Sequence, residues 1–287
     1  MDIVFMSPTH AGGLLAIDRE WFFEIGAYDD GIKIWGGEQY ELSFKVWLCG
    51  GVLKWVPCSH VAHIYRGPRK SNFPNPTAQS HQTDRNHLRL SAIWMDEYQK
   101  YYRTREPATT KLSFGSIDDQ LAIKERLQCK SFDWFMKNVA YEMFKKYPFP
   151  PDNVAWGNLQ NKKFPVCMDQ MGAGFGDAVK VSKYCGQIID QGFELSSLQW
   201  FRLNTKGELS TGEYCFRTKG KPVIKYHCLK DGSWIPEGEW TYLESEMQMK
   251  SKTANKCLDT DGIDLFMSDC DTGSDSLKWT WNKMYYS

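Results

Sequence analysis

The chain has 287 residues, with 35 basic and 35 acidic side chains and a formal net charge of zero. That balance argues against non-specific nucleic-acid binding, which needs a basic surface. The length accommodates one large or two medium domains, and no apolar run approaches the eighteen or so residues that a membrane span requires.

Aromatic residues make up 15 %, with 12 tryptophans; they serve either a large core or rings exposed for stacking on sugars. Nine cysteines point to an oxidising compartment, and an odd number leaves at least one thiol without a partner in the chain. The opening Met1-Asp2-Ile3-Val4-Phe5-Met6 has neither the basic region nor the apolar stretch of a signal peptide. A cysteine-rich chain without such a signal leads to the expectation of a missing N-terminal part.

In chain order, Ala11-Gly12-Gly13 reads as a turn into a strand over Leu14–Ile17, or as bare backbone that a ligand can approach closely. Phe22, Phe23 and Ile25 suggest a short amphipathic helix, ended by Gly26 and the turn Asp29-Asp30-Gly31. Trp35-Gly36-Gly37 forms a tight turn that delivers Glu38 to the mouth of a helix. The helix runs to Cys49 and stops at Gly50-Gly51. Its stripe Leu42, Val46, Cys49 faces a core, and Glu41 and Lys45 read as a surface ion pair. Val52–Val56 reads as a strand leading through Cys58 to His60 and His63.

Residues 66–76, Pro-rich and basic, form a loop. Asp84 is expected to cap a helix reaching about Tyr102, with Leu88, Ala92 and Met95 on one face. Ser116 and Asp119 suggest a capping box for a further helix. Tyr147-Pro148-Phe149-Pro150-Pro151 is a stiff linker. Beyond it, short alternating segments replace helical patterns, and three cysteine pairs recur: Cys167 and Cys185, Cys215 and Cys228, Cys257 and Cys270. This is a threefold repeat of short strands. Gln191-Gly192-Phe193, Gly238-Glu239-Trp240 and Leu277-Lys278-Trp279 follow the second cysteines as degenerate copies of a Gln-x-Trp signature.

Those copies resemble ricin-type β-trefoil lectins. The series Trp35-Gly36-Gly37-Glu38, Glu41–Gly51 and Cys58-Ser59-His60-Val61-Ala62-His63, with Trp94-Met95-Asp96-Glu97-Tyr98 further on, resembles the catalytic domain of the polypeptide N-acetylgalactosaminyltransferases. These enzymes of the Golgi lumen are type II membrane proteins that start mucin-type O-glycosylation. The resemblance implies an α/β fold over residues 1–147, the C-terminal part of a GT-A glycosyltransferase catalytic domain. A Pro-rich linker at 148–154 and an all-β ricin-type β-trefoil at 155–287 follow. It implies retaining transfer of GalNAc from UDP-GalNAc to Ser or Thr of proteins, with Mn²⁺ as cofactor and no nucleic-acid partner. Membrane contact would come only through an N-terminal anchor not present in these residues.

By the same resemblance Glu38 is catalytic, Ala11, Gly12 and Gly13 contact the sugar, Trp35 and Arg66 line the donor, and His63 is a metal ligand. The other half of the metal motif, Asp-x-His, occurs nowhere in the chain. Asp259-Thr260-Asp261 only imitates an Asp-x-Asp motif, from within the third repeat. The family's Trp-Gly-Gly-Glu-Asn reads Trp-Gly-Gly-Glu-Gln here, and Ser71 stands where many active members carry a lid tyrosine. In the trefoil, Asp169, Asp190 and Asp259 are the implied sugar ligands, while the second repeat carries Arg217, which cannot accept a hydroxyl proton. The implied disulfides are Cys49–Cys129, Cys167–Cys185, Cys215–Cys228 and Cys257–Cys270, with Cys58 left over. These residues alone are expected to be inactive; the alternative is a non-catalytic GalNAc-binding lectin. A glycoside hydrolase would need two opposed carboxylates, and Glu38 with Glu41 does not supply them.

Overall fold

The computed structural model describes residues 4–63, 76–186, 199–212, 214–220, 222–230, 233–234 and 239–282. It divides into two compact units: residues 1–102 with 112–144, and residues 103–111 with 145–287. The short segment 103–111 thus leaves the unit of its sequence neighbours and joins the trefoil. There Asn153 Nδ2 donates to the carbonyl of Thr104 at 2.7 Å.

The first unit is mainly helical. Its elements are β1 (Phe5–Met6), α1 (Arg19–Glu24), α2 (Glu38–Leu48), β2 (Lys54–Trp55), α3 (Pro76–Trp94), α4 (Gln99–Arg105, passing into the second unit), α5 (Asp118–Arg126), α6 (Phe132–Asn138) and α7 (Met143–Lys146, also passing into the second unit). Strands β1 and β2 pair antiparallel, Phe5 opposite Trp55. The expected strand at Leu14–Ile17 does not form: these residues belong to no ladder, and Leu14 is exposed. The chain there instead feeds α1, capped by Asp18, whose carboxylate accepts from Trp21 N at 2.8 Å. This side-chain bond satisfies a donor that the first turn leaves open.

Helix α2 is buried over eight consecutive residues, Glu41 to Leu48. That is the behaviour of a central helix, wrapped on all faces. Glu41 and Lys45 are therefore not a surface pair: their charged atoms lie 2.6 Å apart with no side-chain exposure. Lys45 Nζ also donates to the carbonyl of Ala27 at 2.8 Å. Burial raises the Glu41 carboxyl above its ordinary range, and Lys45 counters part of the shift.

The helix expected from Asp84 to Tyr102 is longer at its start and broken near its end. It begins at Pro76 and stops at Trp94. Asp96 then takes a left-handed conformation, φ 44°, which a helix interior does not tolerate. Its carboxylate accepts from Phe132 N at 2.7 Å and Lys124 Nζ at 2.6 Å, tying α5 and α6 to the break. The capping box at Ser116 and Asp119 is also absent. Ile117 is the N-cap and makes no side-chain bond, while Ser116 Oγ is engaged with Asp118 at 2.8 Å. A disulfide joins Cys49, just past α2, to Cys129, just before α6.

The second unit is a β-trefoil of three repeats. The first contains β3 (Asn153–Asn161), β4 (Cys167–Asp169), β5 (Lys180–Ser182) and β6 (Phe201–Asn204). The second contains β7 (Leu209–Thr211), β8 (Tyr214–Thr218), β9 (Val223–His227), β10 (Leu229–Lys230), β11 (Ser233–Trp234) and β12 (Trp240–Leu243). The third contains β13 (Gln248–Ser251), β14 (Lys256–Thr260), β15 (Leu265–Ser268) and β16 (Trp279–Asn282). Strand β16 returns to pair with β3, Trp279 opposite Asn161, so the last repeat closes on the first.

One core serves all three repeats. Met168, Phe216 and Leu258, each following a cysteine, are at most 1 % exposed, as are Phe201, Trp240 and Trp279. The indoles of Trp240 and Trp279 donate to the carbonyls of Phe216 and Leu258 at 2.7 and 2.9 Å, so each buried N–H finds an acceptor. These aromatic positions are spaced 39 residues apart in both steps. The first copy of the repeat signature is thus Gln199-Trp200-Phe201 rather than residues 191–193, which lie outside the described residues. The pairs Cys167–Cys185, Cys215–Cys228 and Cys257–Cys270 are disulfide-bonded, and Cys58 is free and exposed.

Candidate active site and lectin site

The turn before α2 is moulded by α3. Gly36 and Gly37 have φ of 96° and 97°, the left-handed region that side chains disfavour. A Cβ on Gly36 would stand 2.8 Å from Thr83 Cγ2, and one on Gly37 2.9 Å from Leu90 Cδ2. Asn86, fully buried, clasps the turn. Its Nδ2 donates to the carbonyls of Lys33, Trp35 and Gly36 at 2.8, 3.2 and 2.9 Å, and its Oδ1 accepts from Lys33 N at 3.1 Å. Three residues on, Arg89 forms a two-pronged pair with Asp29, at 2.7 and 2.9 Å. This fixes the preceding Asp29-Asp30-Gly31 turn. Neither Asn86 nor Arg89 stood out in the sequence; an apolar helix face conceals them, and only their burial identifies them.

The product of this moulding is Glu38 as the first residue of α2, where a carboxylate is favoured by the helix dipole. Its Oε2 is buried and has no hydrogen-bond partner among the described residues. The loop 10–13 is fastened to the same helix. His10 N donates to Ser43 Oγ at 3.0 Å, and Trp47 Nε1 donates to the carbonyl of Ser7 at 2.9 Å. Gly12 needs its glycine for a φ of 79°, whereas Gly13 has no positive φ and no atom within 4 Å of where a Cβ would stand. The fold itself therefore sets no demand for glycine at position 13, which leaves that backbone open. Trp35 is 58 % exposed. Burial lowers the His10 and His87 imidazoles below the usual histidine range, with the charge of Glu38 opposing the shift at both.

The other expected site residues are not all brought here. His63 is exposed, at the end of a described segment. Arg66, Ser71 and Asp190 lie outside the described residues. Among the described residues no group of three or more His, Cys, Asp or Glu side chains could hold a metal ion. The described donors therefore do not fit Mn²⁺ by themselves, since a divalent cation of this kind needs several ligands.

In the trefoil, Asp169 is buried in the first repeat. Its Oδ1 accepts from Met171 N and its Oδ2 from Gln199 Nε2, both at 2.7 Å. Gln199 also accepts from Gly186 N at 2.9 Å and donates to the carbonyl of Tyr184 at 2.5 Å. Gln199 thus holds the carboxylate and the segment carrying the half-exposed Tyr184 in one frame. It was hidden in the sequence because the first repeat is longer than the others. In the third repeat Leu277 occupies the position of Gln199 and is buried; Asp259 accepts only from the neighbouring Thr260 N, at 2.8 Å. In the second, Glu239 is spent on Thr218 and on Ser251 Oγ, the latter at 2.6 Å.

The first unit thus carries a carboxylate on a glycine turn beside open backbone, and the second unit is a β-trefoil of the ricin-type lectin class. Residues 155–279 match the ricin-type β-trefoil lectin domain, and residues 1–67 match the N-terminal domain of galactosyltransferase. Probable N-acetylgalactosaminyltransferase 7 of Caenorhabditis elegans is 40 % identical over 99 % of this chain and 45 % of its own length. N-acetylgalactosaminyltransferase 7 of Homo sapiens is 36 % identical over 98 % and 42 %. Polypeptide N-acetylgalactosaminyltransferase 10 of Homo sapiens is 34 % identical over 96 % and 46 %. The crystal structure of GalNAc-T7 with UDP, GalNAc and Mn²⁺ superposes with a TM-score of 0.85 at 34 % identity, covering 100 % of this chain and 51 % of that one. The chain belongs to the polypeptide N-acetylgalactosaminyltransferase family. It spans less than half the length of the curated relatives it matches.

Proposed function

We propose that these residues supply the GalNAc-binding side of a UDP-GalNAc:polypeptide transferase, with a GalNAc-binding trefoil attached. The observation that carries this reading is Glu38, set by the Gly36-Gly37 turn at the start of α2, with a buried and unpartnered Oε2. A carboxylate so placed can accept from sugar hydroxyls. The Gly12-Gly13 backbone offers close approach, and Trp35 an exposed ring. Arg66 would meet the diphosphate, and Ser or Thr hydroxyls of proteins or glycopeptides would be the acceptors. The compartment is the Golgi lumen, an oxidising one suited to four disulfides.

A departing nucleoside diphosphate is stabilised by a divalent cation, and His63 is the one ligand we assign here. The 287 residues alone therefore do not transfer GalNAc. The test is a transfer assay on the purified chain with UDP-GalNAc, Mn²⁺ and Ser/Thr peptides or glycopeptides, where no product is expected. Robust Mn²⁺-dependent transfer would show that these residues hold a complete site. In a longer active form, His63→Ala should cost far more activity than His60→Ala. The second reading, a non-catalytic GalNAc-binding lectin, is favoured by the Asp169–Gln199 bond, which lies wholly within the trefoil.

A further inference from the structure

His10 is fixed in one tautomer by its surroundings. Its Nδ1 lies 2.9 Å from the carbonyl of Gly12. A carbonyl only accepts, so Nδ1 carries the proton, and the Nε2 of the neutral ring is an acceptor. Burial lowers the imidazole below the ordinary histidine range, which keeps it neutral near pH 7. Nε2 is buried and has no donor among the described residues. A buried acceptor left unpaired is costly, so this position suits a ligand that brings a donor.

The same holds for Glu38 Oε2, and the two groups share a support. The main-chain N of His10 donates to Ser43 Oγ, five residues along α2 from Glu38, and the charge of Glu38 acts on the His10 ring. We propose that His10 Nε2 and Glu38 Oε2 form a paired acceptor that takes two neighbouring hydroxyls of the sugar, which makes His10 a specificity-determining residue. This rests on the reading of Glu38 as the sugar-binding carboxylate. A hydroxylated sugar ring satisfies both acceptors at once, and an analogue lacking one of the hydroxyls leaves a buried lone pair unmet.

The test is an NMR titration of the labelled 287-residue chain with N-acetylgalactosamine and its 3-deoxy and 4-deoxy analogues, read at the His10 ring nitrogens and the Gly12 and Gly13 amides. Signals from the trefoil are separate and do not interfere. We expect the Nδ1–H pattern for His10 and a sugar-dependent shift of Nε2. His10→Phe should weaken the sugar about three- to tenfold at Gly12 and Gly13, one hydrogen bond's worth. One deoxy analogue should bind His10→Phe and the native chain equally. If Gly12 and Gly13 respond with the same affinity in His10→Phe and Nε2 never moves, the role of His10 is overturned while the reading of Glu38 stands. If the native chain shows no response at Gly12, Gly13 or His10, the reading of Glu38 fails and the proposal with it. Should His10→Phe not fold, the Nε2 shift in the native chain decides.

Discussion

Glu41 and Lys45 are four residues apart and wholly buried, a spacing that in a sequence suggests an ordinary surface pair. Removing one partner of a buried ion pair leaves the other charge uncompensated, which costs about 3–5 kcal/mol. Lys45→Met should destabilise the first unit on that scale, and Glu41→Gln together with Lys45→Met should recover most of the loss; urea unfolding of each variant measures it. The histidines add a pH dependence. The folded-state values of His10 and His87 lie below the unfolded value of 6.5. The unfolded chain therefore binds more protons just below that pH, so stability is full above about 6.5 and declines as pH falls through the window beneath it. Glu41, raised by burial, acts with the opposite sign. The informative quantity is thus the difference between native and His87→Phe chains: the drop in unfolding midpoint from pH 7.5 to 5.5 should shrink in the variant.

Helix α3 is the element on which the candidate site depends, although it contributes none of the expected site residues. Its Asn86, Thr83 and Leu90 face the Gly36-Gly37 turn. Gly37→Ala would combine a left-handed φ with a contact 2.9 Å from Leu90 Cδ2. Strain and overpacking together should cost about 2 kcal/mol or more, visible as a lower melting temperature. Helix α2 and the paired glycines at its ends were legible in the sequence because glycine punctuation and apolar spacing are local signals. The start and break of α3 were not. Asp84 has the chemistry of a cap but sits within the helix, and the break at Asp96 is set by bonds to Phe132 and Lys124, more than twenty residues away. Asn86 was illegible for the same reason: its four bonds to the turn span about fifty residues.

At the scale of the whole molecule, three repeats built alike should not bind alike. All keep the buried aromatic and the disulfide, because the shared core needs them. Among the described residues the polar frame is kept only in the first, where Gln199 bonds Asp169 and the Tyr184 backbone. The third keeps its aspartate but has Leu277 in place of the glutamine, and the second has Arg217 in place of the aspartate. A carboxylate binds a sugar tightly only when its own orientation is fixed beforehand, since ordering it on binding costs free energy. Binding by the trefoil should therefore run through the first repeat. On immobilised GalNAc, Asp169→Ala should remove the retention due to the trefoil, Gln199→Ala should weaken it about tenfold through loss of the charged hydrogen bond, and Asp259→Ala and Arg217→Ala should leave it unchanged. Undiminished retention of Asp169→Ala, or loss of retention in Asp259→Ala, would move the sugar site out of the first repeat.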